Sequence, residues 1–404
     1  MSIDTEVAGS SIAAPSETEE IVVNSVAEFV AELDQLDREE GTETFYRGQA
    51  DKDWKLIPSI FRTPDGPKVE HLLFRDMVAH EPQSFSECQS ALDHLVQMQH
   101  YGLPTRLLDV SMNPLVALYM ACVPDATDPL KKSFDVGFEA GSVAGWDAGS
   151  GAVDPEFDLD PSEAMEEGRW VGGITGMIAA TMTARFSDGC QPIVKDVVEA
   201  IASASDKPGG KEGAVAGARA GADAVKVPGV VYLFSIPKDQ VKHYDSDTVS
   251  VLANLAKCQI TEDCPAPSSG EEFNAQPCIK ELICQIRGEK PYFSPSVKVE
   301  DLNRILLVKP RNGNQRIINQ MGAFFLFGLV LKEGIEVPFG DSVASLSKKG
   351  DLVVPNEWIK RKFIIPSDKK DTIRRGLANL GIVDSYIYPG IEWYAKELKQ
   401  RYKF

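Results

Sequence analysis

Four apolar runs constrain the fold of this chain most. Residues 230–236 (VVYLFSI), 304–309 (RILLVK), 322–331 (GAFFLFGLVL) and 361–366 (RKFIIP) are rich in β-branched and aromatic residues and bounded by Gly or Pro. Such runs read as buried strands. Helical patterns separate them at irregular intervals, at 22–36, 68–79, 91–100, 247–255 and 391–402. Residues 369–381 add another, closed by Gly381 as a C-cap. Irregular alternation points to an α+β fold, a mixed sheet with surrounding helices, and not to a repeated βαβ unit.

The chain divides by composition. Residues 1–21 (MSIDTEVAGSSIAAPSETEEI) lack the basic and then apolar regions of a secretory signal and read as a disordered acidic leader. Residues 22–122 carry the first helices and a short strand at 44–48 (TFYRG), and KDWKLIPSIFR is read as its continuation with Trp54, Leu56 and Ile57 in the core. Asn24 or Ser25 is placed to cap the helix at 22–36. From 123 to 229 Gly, Ala and Asp dominate. This tract reads as a mostly helical insertion, with helices at 176–186 and 193–204. Residues 230–404 complete the core.

Totals exclude several classes. A net charge of −18 opposes nonspecific nucleic-acid binding, which needs Lys and Arg against phosphates. No run approaches the roughly 18 apolar residues of a membrane helix. The seven cysteines are odd in number and form no CxxC pair. Even the group Cys258, Cys264, Cys278 and Cys284 matches no common metal spacing. Neither a disulfide scaffold nor a metal site is expected, and the compartment reads as reducing, hence cytoplasmic.

Unusual residues concentrate at 97–121 (QMQHYGLPTRLLDVSMNPLVALYMA). Two apolar helical segments flank what reads as a loop carrying His100, Gly102, Pro104, Thr105, Arg106 and Asp109, and loops on a rigid scaffold commonly carry binding chemistry. Asn113-Pro114 opens the second helix as N-cap and first helical residue. Arg106 and Asp109 are three apart and would meet if that segment were helical, bracing the loop, or they would face a ligand. His100 is a candidate for a ribose or phosphate contact, with carbonyl capping at a helix end as the alternative. Arg316 and Gln320 are four apart and would share one face of a helical turn. Phe324 and Phe325 sit inside an apolar run and read as core. No G-x-S-x-G elbow and no phosphate-binding G-x-x-x-x-G-K-[ST] loop occurs.

YRGQ at 46–49, WKLIPS at 54–59 and the long 97–121 motif together resemble the FRG domain family, named for its Phe/Tyr-Arg-Gly signature. VVYLF, QRIINQMGAFFLFG at 315–328 and the closing LANLGIVDSYIYPGIEWYAKELKQRY extend the resemblance over most of the chain outside the leader and the insertion. Some members look like remote relatives of the ADP-ribosyltransferase fold. That likeness implies a site for NAD or another nucleotide. Arg47 would clamp phosphates at a strand end, Arg106 would assist, and Gly48 would admit the ligand to the backbone. His100 would meet the ribose and Gln320 the reacting centre. Tyr46, Tyr101, Thr105, Asp109 and Arg316 would complete the pocket. ADP-ribosyltransferases usually supply a glutamate, and here the comparable late strand offers only Gln320, leaving Glu81 and Glu289 as unplaced carboxylates. The implied role is an intracellular toxin or phage-defence effector, bacterial or phage-related, with a protein or nucleic-acid acceptor. The competing reading is a noncatalytic module that recognises a nucleotide, a nucleic-acid end or a protein.

Overall fold

The structure, a computed structural model of the chain, describes residues 19–123 except 38, and 227–402 except 260–263, 266–268, 336–342 and 348–351. It also describes short helical pieces at 138–140, 143–144, 169–171, 174–175 and 214–218. Most of the leader lies outside these residues, as do the expected helices at 176–186 and 193–204.

Eleven strands are described: β1 (Glu19–Val22), β2 (Thr42–Gln49), β3 (Leu107–Ser111), β4 (Gly229–Pro237), β5 (Val241–His243), β6 (Cys264–Pro265), β7 (Ile305–Lys309), β8 (Gly322–Phe327), β9 (Val330–Ile335), β10 (Val343–Ser347) and β11 (Ile359–Ile365). The first eight-stranded sheet runs β1-β11-β4-β2-β3-β8-β7-β5, and β6-β10-β9 form a second. The large sheet is mixed, with β1 parallel to β11, β5 parallel to β7, and the central pairs antiparallel. Its middle strands come from both sides of the 123–229 tract. The fold is therefore α+β.

Helices cover the sheet. The first four are α1 (Val26–Asp34), α2 (Gly66–His80), α3 (Ala91–His100) and α4 (Pro114–Ala121). After β5 come α5 (Asp247–Asn254), α6 (Gly270–Ala275), α7 (Pro277–Glu289) and α8 (Val299–Leu302), then α9 (Gln315–Gln320), α10 (Lys370–Asn379), α11 (Asp384–Ile387) and α12 (Ile391–Arg401). Local caps explain several starts. Ser25 accepts from Glu28 N at α1, Ser90 and Asp93 form a capping box at α3, and Asn113 accepts from Leu115 N ahead of Pro114 at α4.

Some sequence expectations change. Residues 19–21, assigned to the leader, belong to β1, so the chain is already paired with β11 before α1 begins. Residues 50–58 do not continue β2. They turn away from it, and Ile60 rather than Ile57 is the buried residue. The run 322–331 splits at Gly328, because β8 and β9 belong to different sheets. A Cβ on Gly328 would lie 2.0 Å from the Leu302 carbonyl, which explains the glycine at that corner. Residues 258–277 include β6 and α6, and Cys264 is joined to Cys278 by a disulfide that the cysteine spacing did not suggest.

One core titrates. His94 of α3 stacks on Phe85 with ring centroids 5.6 Å apart and lies 5.4 Å from Phe74. Burial pushes its pKa down, opposed by its bond to the Ser90 carbonyl and by Asp93 and Glu289, while Lys257 adds to the depression. A base depressed in the fold is protonated more readily when unfolded. No penalty exists above the ordinary value of 6.5, and stability falls as pH drops below it. Urea unfolding at pH 7.5 and pH 5 should show this loss, with a smaller loss in His94→Phe. An equal loss in that variant would assign the acid sensitivity elsewhere.

Candidate functional site

The site arises from a parting of strands in the middle of the sheet. β2 pairs with β4 from Thr42 to Gln49, and β3 pairs with β8 over its whole length. Between β2 and β3 only one pair forms, Tyr46 with Ser111. Beyond it the two backbones diverge. There a side chain supplies a donor: Arg47 Nη1 donates to the Asp109 carbonyl at 2.5 Å. The guanidinium thus occupies the place of a ladder hydrogen bond.

A cleft of ≈ 260 Å3 opens at this parting. Tyr46, Arg47, Gly48 and Gln49 line it from β2, Asp109 to Ser111 from β3, and Val116, Ala117 and Met120 from α4. Trp54 from the following turn, Arg316 and Gln320 of α9, and Tyr388 close it. A smaller recess of ≈ 30 Å3 adjoins, with Asp109, Val110, Arg316 and Gln320 common to both.

The polar groups are held in place. With the Gln49 amide oriented to satisfy both its ends, its oxygen accepts from Arg47 Nε (3.2 Å) and its nitrogen donates to the Trp54 carbonyl (3.1 Å). Burial pushes the Arg47 pKa down to about 10, with Asp109 opposing, so the guanidinium stays charged at neutral pH. Arg316 Nη1 donates to the His100 carbonyl at 3.1 Å, and its guanidinium lies 5.0 Å from the Tyr388 ring centroid. Asp109 Oδ2 accepts from Gln99 Nε2 at 2.6 Å, and the Gln99 oxygen accepts from the Thr105 hydroxyl. Asn319 Nδ2 and Gln320 Nε2 donate to the Tyr386 and Ile387 carbonyls (2.7 and 3.0 Å), docking the C-terminal segment that carries Tyr388. Burial raises the Tyr388 pKa, with Arg316 opposing.

Most candidates from sequence gather here: Tyr46, Arg47, Gly48, Asp109, Arg316 and Gln320 line one cleft, and His100 lines the recess. Others do not. Arg106 is fully buried and bidentate to Glu70, with Nε 2.8 Å from Oε1 and Nη1 donating to the Phe327 carbonyl at 2.9 Å. It neither meets Asp109 nor reaches the cleft. Residues 107–111 are a central strand, not loop, so the helical spacing that would have paired Arg106 with Asp109 does not apply. Thr105 is buried and acts through Gln99. Tyr101 is exposed at the end of α3 and lines neither space. Gly48 has a packing role: a Cβ there would lie 1.8 Å from the Ala117 carbonyl of α4. Of the unplaced carboxylates, Glu81 is half exposed beside His80. Glu289 is buried, accepting from Ala91 N at 2.7 Å and Asn254 Nδ2 at 2.9 Å, a tether between helices.

Sequence reasoning missed Gln49, Gln99, Trp54, Met120 and Tyr388. All five lie within quoted motifs (YRGQ, WKLIPS, the 97–121 stretch and the closing segment with YIYPG), so a signal existed for each. Among the described residues no group of His, Cys, Asp and Glu is arranged to hold a metal, and no helix is long and apolar enough to cross a membrane.

Residues 42–129 match the family model described as the FRG domain. The matched segment supplies β2, β3 and α4, whereas Arg316, Gln320 and Tyr388 lie beyond it. No curated protein matched, and no solved structure did.

Proposed function

We propose that this chain, which carries an FRG domain, binds NAD or a related nucleotide in the cleft between β2 and β3 and acts on its N-glycosidic bond. The observation that carries the reading is a pair of arginines. Arg47 and Arg316 come from different elements to one cleft, and among the described residues neither has a carboxylate within ion-pair distance. Two guanidinium groups without an ion-pair partner in a chain of net charge −18 favour an anionic ligand, and their planar forks match phosphate oxygens. Tyr46, Trp54 and Tyr388 add aromatic surface for a flat ring. The volume of ≈ 260 Å3 lies just below the range of about 300–1,000 Å3 usual for small-molecule sites. It suits the nicotinamide-ribose half of NAD, with the adenosine half extending over the rim.

Cleaving nicotinamide from ribose develops positive charge at the sugar, which a carboxylate stabilises. Asp109 stands in the cleft wall for that role, where sequence reasoning had Gln320, with Glu81 and Glu289 unplaced. The Gln320 amide nitrogen is committed to the Ile387 carbonyl. The glycosyl group would pass to water or to a protein or nucleic-acid acceptor. Consumption of NAD in the cytoplasm would make the protein an ADP-ribosyltransferase-like toxin or phage-defence effector.

The test is calorimetric titration of NAD and nicotinamide mononucleotide, with nicotinamide release followed by chromatography. Each of Arg47→Ala and Arg316→Ala should weaken binding by roughly 10- to 100-fold, the magnitude of a charged hydrogen bond, in a protein that still folds, with a modest drop in melting temperature because each guanidinium also holds a backbone carbonyl. Absence of binding by either nucleotide would sink the reading. Binding without nicotinamide release would make the cleft a noncatalytic nucleotide-recognition module.

A further inference from the structure

The recess beside the cleft bears on what receives the glycosyl group. Its polar lining is Gln99, His100, Asp109, Asn314, Arg316 and Gln320, of which Asp109, Arg316 and Gln320 also face the cleft. A water needs about 10–15 Å3 and two to four polar partners. At ≈ 30 Å3 the recess has room for one or two waters. An amino-acid side chain or a nucleic-acid base is larger than that.

His100 adds an independent observation. Its carbonyl is engaged by Arg316, yet its ring Nδ1 is buried with no hydrogen-bond partner among the described residues. Buried polar atoms of this kind call for an explanation, and a water or a catalytic role supplies one. Burial and the neighbouring Arg316 charge lower the His100 pKa, so the ring is neutral at pH 7 and offers one donor and one acceptor nitrogen. Asp109 is steadied by Gln99 through one carboxylate oxygen, which leaves the other for a second contact.

We propose that this recess seats the water that attacks the sugar, so that the chain hydrolyses an N-glycosidic bond and does not transfer the group to a macromolecule. The proposal rests on the nucleotide reading of the cleft. In the step, the C1′–N bond breaks and its electron pair leaves with nicotinamide. The water oxygen forms the new bond to C1′, and its proton passes to the Asp109 carboxylate and then to solvent. NAD and water thus give ADP-ribose, nicotinamide and one proton. His100 is a positioning residue that holds the water.

The experiment incubates the full chain with NAD in cell extract and counts nicotinamide, free ADP-ribose and ADP-ribose bound to macromolecules. Hydrolysis gives free ADP-ribose one for one with nicotinamide. His100→Leu should lower kcat by 10-fold or more with NAD affinity unchanged. His100→Asn, whose side chain keeps polar atoms near the place of Nδ1, should recover part of that loss. Melting temperatures of both variants separate a folding defect from a lost contact. Nicotinamide release with ADP-ribose attached to protein or nucleic acid would overturn hydrolysis and leave the nucleotide reading standing. So would NAD binding without turnover, or an undiminished kcat in folded His100→Leu. No NAD binding would overturn both.

Discussion

Arg106→Met should cost about 3–5 kcal/mol of stability, the loss expected when one partner of a buried ion pair is removed, and lower the melting temperature by on the order of 10 °C. The reason lies in what remains. Glu70 would keep a carboxylate in a site with no access to water, deprived of the two guanidinium hydrogen bonds it now accepts. The Phe327 carbonyl would lose the donor that Arg106 Nη1 provides, at the end of β8. Glu70→Leu together with Arg106→Met removes the stranded charge and should recover most of the loss, because well-packed apolar replacements of buried pairs are close to neutral. Recovery stays incomplete, since Phe327 still lacks its donor. Denaturant unfolding of the two single variants and the double variant reads this coupling directly. Additive losses would show that Arg106 and Glu70 act independently, contrary to their geometry.

This arginine also marks the limit of what the chain discloses before folding. Apolar period was enough for β4, β7, β11, α3 and α5, and period with a local signal, Asn113 or Gly381, for α4 and α10. The 97–121 stretch supplies residues to the cleft and the recess, but its middle was read as loop. Leu107–Ser111 looks polar only at Asp109 and Ser111: Asp109 stands where β2 has parted from β3, and Ser111 Oγ donates to the Gln320 carbonyl. That parting is a tertiary event with no local signature. The same holds for the roles of two arginines in neighbouring motifs. Arg47 and Arg106 are chemically alike, and only Glu70, thirty-six residues upstream of Arg106, decides that one is internal and the other lines the cleft. Arg316 and Gln320 were legible as a pair from helical spacing alone. Tyr388 was not, because its place over Arg316 depends on α9 amides gripping the backbone of residues 386 and 387.

Gly48→Ala should be the most damaging single methyl addition in the FRG-matched segment, and it separates packing from ligand approach as the reason for this glycine. α4 crosses β2 and β4 so closely that a Cβ on Gly48 would lie 1.8 Å from the Ala117 carbonyl and 2.7 Å from the Ala121 amide nitrogen. Gly229 on β4 makes the same approach, 2.2 Å from the Ala121 carbonyl. These neighbours are helix backbone, which cannot turn aside as a side chain can. Ordinary overpacking costs about 1–3 kcal/mol, and contact with a helix main chain on one side and a paired strand on the other should reach or exceed the top of that range. Since α4 also brings Val116, Ala117 and Met120 to the cleft, a displaced helix should weaken nucleotide binding along with stability. Gly270→Ala serves as control: its Cβ would meet nothing within 4 Å and its backbone does not require glycine, so stability there should hold or rise slightly. If Gly48→Ala melted like the parent protein and lost only nucleotide affinity, the glycine would belong to the ligand, and the close seating of α4 on the sheet would not be what fixes the residue after Arg47.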